Sequence, residues 1–123
     1  MSKLDINTEI VMASDYNFFG KKSNLLLDMS LQLGASSFIF GKLGRDYADQ
    51  NSFIKSGVVP LFQDYIHPKY PQYANKKFEP YLSILDLLSF HGDKSLSILI
   101  EHNKGRDEYQ EQSDLIMKGE INP

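Results

Sequence analysis

The chain has 123 residues, the size of one ordinary domain and too short for two domains that each bury a separate core. Hydrophobic residues make up 41%, a globular share that argues against wholesale disorder, and a formal charge of −3 offers no broad basic surface for a nucleic-acid backbone. The absence of cysteine excludes disulfides, thiolate catalysis, Fe–S clusters and Cys-based zinc sites. Residues 1–100 balance acids against bases, so the whole net charge lies from Glu101 onward, and a polar acidic tail, read as 103–123, follows a folded part read as 1–102. No apolar run approaches the roughly 20 residues of a membrane span, and no hydrophobic signal region follows the N-terminus, so no span and a cytoplasmic location are expected.

Thr8 to Ser14 is a β-branched and apolar run ahead of the turn material Asp15-Tyr16-Asn17, and it predicts a buried first strand. From Ser23 to Gly34, Leu26, Met29 and Leu33 recur at helical spacing, with Ser23 as N-cap and Gly34 just past the end. Ser36 to Phe40 predicts a second strand, closed by Gly41-Lys42-Leu43-Gly44. A shorter helix is expected over Asp46 to Ser56, stopped by Gly57, and Val58 to Phe62 predicts a third strand. Pro60 lacks an N–H, which favours a sheet edge or a strand end. Strand, helix, strand, helix, strand at this spacing predicts an α/β fold with a small two- or three-layer parallel sheet.

The texture then changes. Six of the fifteen aromatic residues fall between Phe62 and Tyr81, interleaved with Pro68, Pro71 and Pro80, which predicts a packed aromatic loop rather than a helix. Ser83 to Gly92 predicts a compact helix. Asp93 is placed to cap a further short apolar element from Leu96 to Ile100. Beyond His102 few apolar residues remain, and a helical or frayed tail is expected.

Several ordered blocks are distinctive. Phe53-x3-Gly57-Val58 is followed by Phe62-Gln63-Asp64-Tyr65-x-His67-Pro68-x-Tyr70-Pro71-Gln72, then by Phe78-x-Pro80-x-Leu82-Ser83-Ile84-Leu85-Asp86-Leu87-Leu88-x3-Gly92. Upstream lie Lys22-Ser23-x-Leu25-Leu26-Leu27-Asp28, Leu33-Gly34-Ala35 and Gly41-x2-Gly44-x-Asp46-Tyr47. In this order they resemble the WbqC-like family of bacterial proteins over roughly residues 8 to 100. Family members are about twice as long and begin with a Gln-Pro…Tyr-Leu-Pro-Trp block and an Asn-Arg-rich segment; this chain has neither block and no tryptophan, so it resembles the C-terminal half. The resemblance implies a place in surface-polysaccharide and O-antigen biosynthesis, with transfer of an amino acid or acyl group to a nucleotide-linked amino sugar. The alternative is a non-catalytic remnant or subunit that pairs with a separate N-terminal half or with copies of itself.

Candidate site residues follow from both readings. His67 is the acid–base candidate, because imidazole titrates near neutrality and Tyr65, Tyr70 and Gln72 are polar neighbours able to orient a sugar. A rigid loop with His67 satisfied by backbone is the competing reading. The turn carrying Gly41, Gly44, Asp46 and Tyr47 leads from a strand into a helix, where free N–H groups could hold a phosphate or carboxylate, although such glycines also serve sterics alone. Ser83 and Asp86 match a capping box, with Leu82 and Leu87 as its staple. His91 suits the negative end of its helix. The spacing of His67, His91 and His102 matches no metal motif, and no cofactor is implied.

Overall fold

The computed structural model describes residues 4–73 and 77–123; Ala74 to Lys76, within the expected aromatic loop, lie outside the described residues. In chain order the helices and strands are α1 (Ser23–Gln32), β1 (Ser37–Phe40), α2 (Gln50–Lys55), β2 (Val59–Phe62), α3 (Ile84–His91), α4 (Ser95–Ile100) and α5 (Arg106–Met117). Length alone predicts one domain, yet the contacts gather into two compact units. One comprises Val11–Asp64 with Gly105–Pro123, and the other comprises Tyr65–Lys104 with the described residues up to Ile10.

In the larger unit β1 and β2 pair in parallel, with Ser37 opposite Val59 and Phe40 opposite Phe62. Gly34 and Gly57 deliver the chain from helix to strand. Each adopts positive φ, +68° and +77°, which a side chain would strain. At the first, Gly34 N–H bonds Leu31 C=O and Ala35 N–H bonds Ser30 C=O; at the second, Gly57 and Val58 bond Ile54 and Phe53 in the same pattern. Phe53 and Val58 then meet in the core with Phe40 and Phe62, while Leu26, Leu27 and Phe38 pack around them.

All four residues of β2 are buried. Phe62 faces the α2 side, whereas Val59 and Leu61 face α5 through Ile116 and Tyr109. The acidic tail is thus largely a helix that covers the second face of the sheet, and Tyr109, Ser113 and Ile116 recur at helical spacing along it. Pro60 turns its nitrogen away from β1, because Val59 N–H and Gln63 N–H are the groups that reach Ser36 and Phe40.

Three expectations need correction. The sheet of the described residues has two strands, not three. Thr8 to Met12 has no regular structure and Ala13–Asp15 forms a 3₁₀ turn, with Ile10 and Met12 largely exposed. Strand propensity needs a pairing partner to become a strand, and among the described residues no strand pairs with this run. Ser23 is not an N-cap but the first residue of α1, where its buried hydroxyl accepts Asp49 N–H at 2.9 Å. The helix expected from Asp46 begins only at Gln50: Asp49 caps it by accepting Ser52 N–H and Oγ–H, while Asp46 ends a 3₁₀ turn over Lys42–Asp46.

Gly44 is required sterically: a Cβ there would lie 2.4 Å from Phe40 Cβ, whereas one at Gly41 meets open space. Gly44→Ala is expected to destabilise the larger unit by about 1–3 kcal/mol through overpacking. Gly41→Ala should stay within about 0.5 kcal/mol. Equal urea midpoints for the two variants would contradict this packing.

The smaller unit leaves β2 through Gln63 and Asp64 and closes on itself at Asn103. Asn103 Oδ1 accepts Ile66 N–H at 2.7 Å, and its Nδ2 donates to Ile66 C=O and Leu99 C=O at 3.0 and 2.7 Å. One side chain therefore clamps the start of the segment to its end. Asn103→Ala should cost this unit about 1–3 kcal/mol, because both backbone groups of Ile66 lose this partner. Unchanged amide-exchange protection around Ile66 would count against that role.

Candidate functional site

The smaller unit has a polar knot beneath an open cavity. Pro68 and Pro71 keep the chain extended through Tyr70, whose ring is buried and meets His91 and Phe78 edge-on with centroids 5.5 Å away in each case. Its hydroxyl donates to Asp86 Oδ2 at 2.9 Å, and Gln72 Nε2 donates to the same oxygen at 3.0 Å. Gln72 also bonds both backbone groups of Glu79, so its amide staples the two arms of the loop together. His91 Nε2 lies 2.9 Å from Pro71 C=O, and because a carbonyl only accepts, this nitrogen carries a proton.

Ser83 caps α3 as its sequence predicts, accepting Leu85 N–H at 3.2 Å. Asp86 does not complete a capping box. Its Oδ2 is occupied by Tyr70 and Gln72, two residues far away in sequence, and no local pattern signals that use.

Above the knot lies a cavity of about 300 Å³ whose walls include Tyr65, His67, Pro68, Tyr81, Leu87 and Leu99. His67 is half-buried, with the Tyr65, Phe78 and Tyr81 rings around it at 6.0, 6.1 and 4.8 Å. Its Nε2 accepts Tyr81 N–H at 3.1 Å, and its Nδ1 lies 3.4 Å from Tyr65 Oη. An N–H can only donate, so Nε2 holds a lone pair and a neutral imidazole must carry its proton on Nδ1, directed at Tyr65. Tyr65 O–H is then left free to donate into the cavity. Tyr81, which supplies the N–H, sits at φ +62°, a rare conformation for a non-glycine residue.

Burial raises the Tyr65 phenol above the ordinary tyrosine range. Burial and then the bond to Asp86 raise that of Tyr70, against a smaller opposing pull from Gln72. Both are neutral donors near neutral pH.

Of the predicted residues, His67, Tyr65 and Tyr70 border this cavity, and Gln72 supports it from the knot. Gly41, Gly44, Asp46 and Tyr47 belong to the other unit. There Gly44 packs on Phe40, Asp46 is exposed and the Tyr47 ring meets Phe40 edge-on. Arg45 lies over the Phe62 ring at 4.5 Å with Asp64 3.8 Å away.

The blocks that wall the cavity, Tyr65 to Gln72 and Phe78 to Gly92, are among those that carry the sequence resemblance. The chain matches the WbqC-like protein family over residues 1–98, which takes in most of it and includes its first residues. The chain belongs to the WbqC-like family. It is also 30% identical over 87 residues to an uncharacterized protein of Mycobacterium tuberculosis, a match covering 71% of this chain and 38% of that protein. The chain thus spans well under two thirds of the length of that relative. No solved structure matches. Among the described residues of this WbqC-like chain, no group of acidic and histidine side chains could hold a metal ion, and no helix is long and apolar enough to cross a membrane.

Two outcomes are expected. Nitrogen-15 shifts should show His67 as the Nδ1–H tautomer, and the Nε2–H form would refute the bond from Tyr81. Tyr70 has a folded value raised above its unfolded one. Its contribution to stability is therefore full below the ordinary tyrosine value of about 10 and is lost as pH rises through the raised value. Tyr70→Phe should flatten the alkaline fall of stability, and an unchanged slope would exclude Tyr70 as its source.

Proposed function

We propose that this chain acts in bacterial surface-polysaccharide or O-antigen biosynthesis, as part of a transferase that moves an acyl or aminoacyl group onto a nucleotide-linked amino sugar. The observation that carries this reading is the aromatic cavity, where one imidazole and one free phenolic donor meet. Tyrosine faces suit the C–H faces of a sugar ring, and the family resemblance points to sugar modification.

In this reading the sugar amine attacks the acyl carbonyl. The N–C bond forms, and the nitrogen loses a proton to His67 Nε2 once the ligand takes the place of Tyr81 N–H. Tyr65 O–H, held by His67 Nδ1–H, donates to the carbonyl oxygen as negative charge develops there. The bond between the acyl carbon and its activated carrier then breaks, and His67 returns the proton to that carrier as it departs. Tyr70 and Gln72 fix the loop beneath through Asp86.

The test is turnover of nucleotide-linked amino sugars, read as a mass gain on the sugar. His67→Ala should lower the rate by about 10²–10⁴ while leaving binding in place. Undiminished transfer by that variant would remove His67 as the acid–base group.

The β1 edge favours a second reading, a non-catalytic subunit. Ser36 and Phe40 point their carbonyls at β2, so the backbone groups of Ser37 and Ile39 face the opposite side, and Ile39 is 49% exposed. In that reading a strand from a separate N-terminal half, or from a second copy, pairs there. Slowed amide exchange at Ile39 on adding a separately produced N-terminal half of a WbqC-like protein supports it, and unchanged exchange counts against it.

A further inference from the structure

The described walls of the aromatic cavity carry no charge. None of the described residues lining it is Lys, Arg, Asp or Glu; its polar groups are the hydroxyls of Tyr65, Tyr70, Tyr81 and Ser83 and the His67 ring. Pro68, Leu82, Ile84, Leu87 and Leu99 supply the apolar remainder.

A phosphate placed here would be desolvated with no cation among the described lining residues to meet it, at a cost of several kcal/mol. The start of α3 does not replace that cation. Ser83 Oγ already caps it through Leu85 N–H, and the Asp86 carboxylate in its first turn opposes a second negative charge. A protonated amine fares no better, because both groups donating to Asp86 Oδ2 come from the knot. The volume, about 300 Å³, lies at the small end of ligand pockets and suits one substituted sugar ring better than a nucleotide.

We infer that the cavity takes an uncharged, N-acylated sugar ring, with its acyl methyl against Leu87 and Leu99, its ring against Tyr81, and an oxygen accepting Tyr65 O–H. Any diphosphate stays outside. This rests on the sugar-modification reading above and narrows it: the cavity holds the acylated, neutral form and rejects both the phosphate and the ammonium form of the sugar.

The test follows the methyl signals of Leu87 and Leu99 in the intact chain during titration with three probes: methyl N-acetylglucosaminide, methyl glucosaminide at a pH where its amine is protonated, and uridine diphosphate. The neutral probe should shift both methyls saturably, and the charged probes should leave them unmoved at the same concentration. Tyr81 is 80% exposed, so Tyr81→Ala keeps the fold and should weaken the neutral probe at least fivefold. Leu99→Lys should weaken it further. Equal shifts from uridine diphosphate or the cationic sugar overturn the inference, as does no response to the neutral probe. Binding of the neutral probe without any transfer activity defeats the transferase reading and leaves this one standing. Transfer activity together with methyls that answer to uridine diphosphate does the reverse.

Discussion

The larger unit depends on burying one four-residue strand from both sides. β2 presents Phe62 to the α2 side and Val59 and Leu61 to α5, and a parallel strand becomes stable only when both faces are covered. The two Schellman turns aim α1 and α2 so that β1 and β2 run side by side, and Gly44 lets the turn after β1 close down on Phe40. The second face is covered by residues from the far end of the chain. The acidic segment is therefore part of the core architecture: its charges line the solvent side of α5 while Ile116 and Tyr109 close the sheet.

The smaller unit is held by a different kind of interaction. Its apolar core is slight, with Leu87 and Tyr70 as prominent buried residues. Hydrogen bonds made by side chains supply much of its definition: Asn103 closes its base and Gln72 spans its loop through backbone groups, and Asp86 gathers the Tyr70 and Gln72 side chains on one oxygen. Among the described residues each buried side-chain polar atom is met, as a low-dielectric interior demands. That rigidity is what leaves the rings of Tyr65, His67 and Tyr81 standing around an open cavity instead of collapsing into it.

The chemistry of the cavity follows from one backbone bond. By donating to His67 Nε2, Tyr81 N–H settles which imidazole nitrogen carries the proton, and so directs Tyr65 O–H outward. Strain at Tyr81 is offset by this bond and by its ring contact with His67.

By itself the sequence determined the parts governed by local rules. Helical spacing and end glycines located α1, α2 and α3, β-branched and aromatic runs located β1 and β2, Pro60 marked a sheet edge, Ser83 marked a helix start, and ordered motifs marked the family. It also singled out His67 with Tyr65 and Tyr70, because aromatic and proline-rich spacing survives as a one-dimensional pattern. Tertiary structure alone decided the rest. Thr8 to Ser14 has strand propensity but pairs with no strand among the described residues, and Ser23 and Asp86 gave up their expected capping roles to partners 26 and 16 residues away. The acidic tail gained its place because Val59 and Leu61 needed a cover. Pairing, burial and shared hydrogen bonds join residues distant along the chain, and nothing in local spacing encodes which of them will meet.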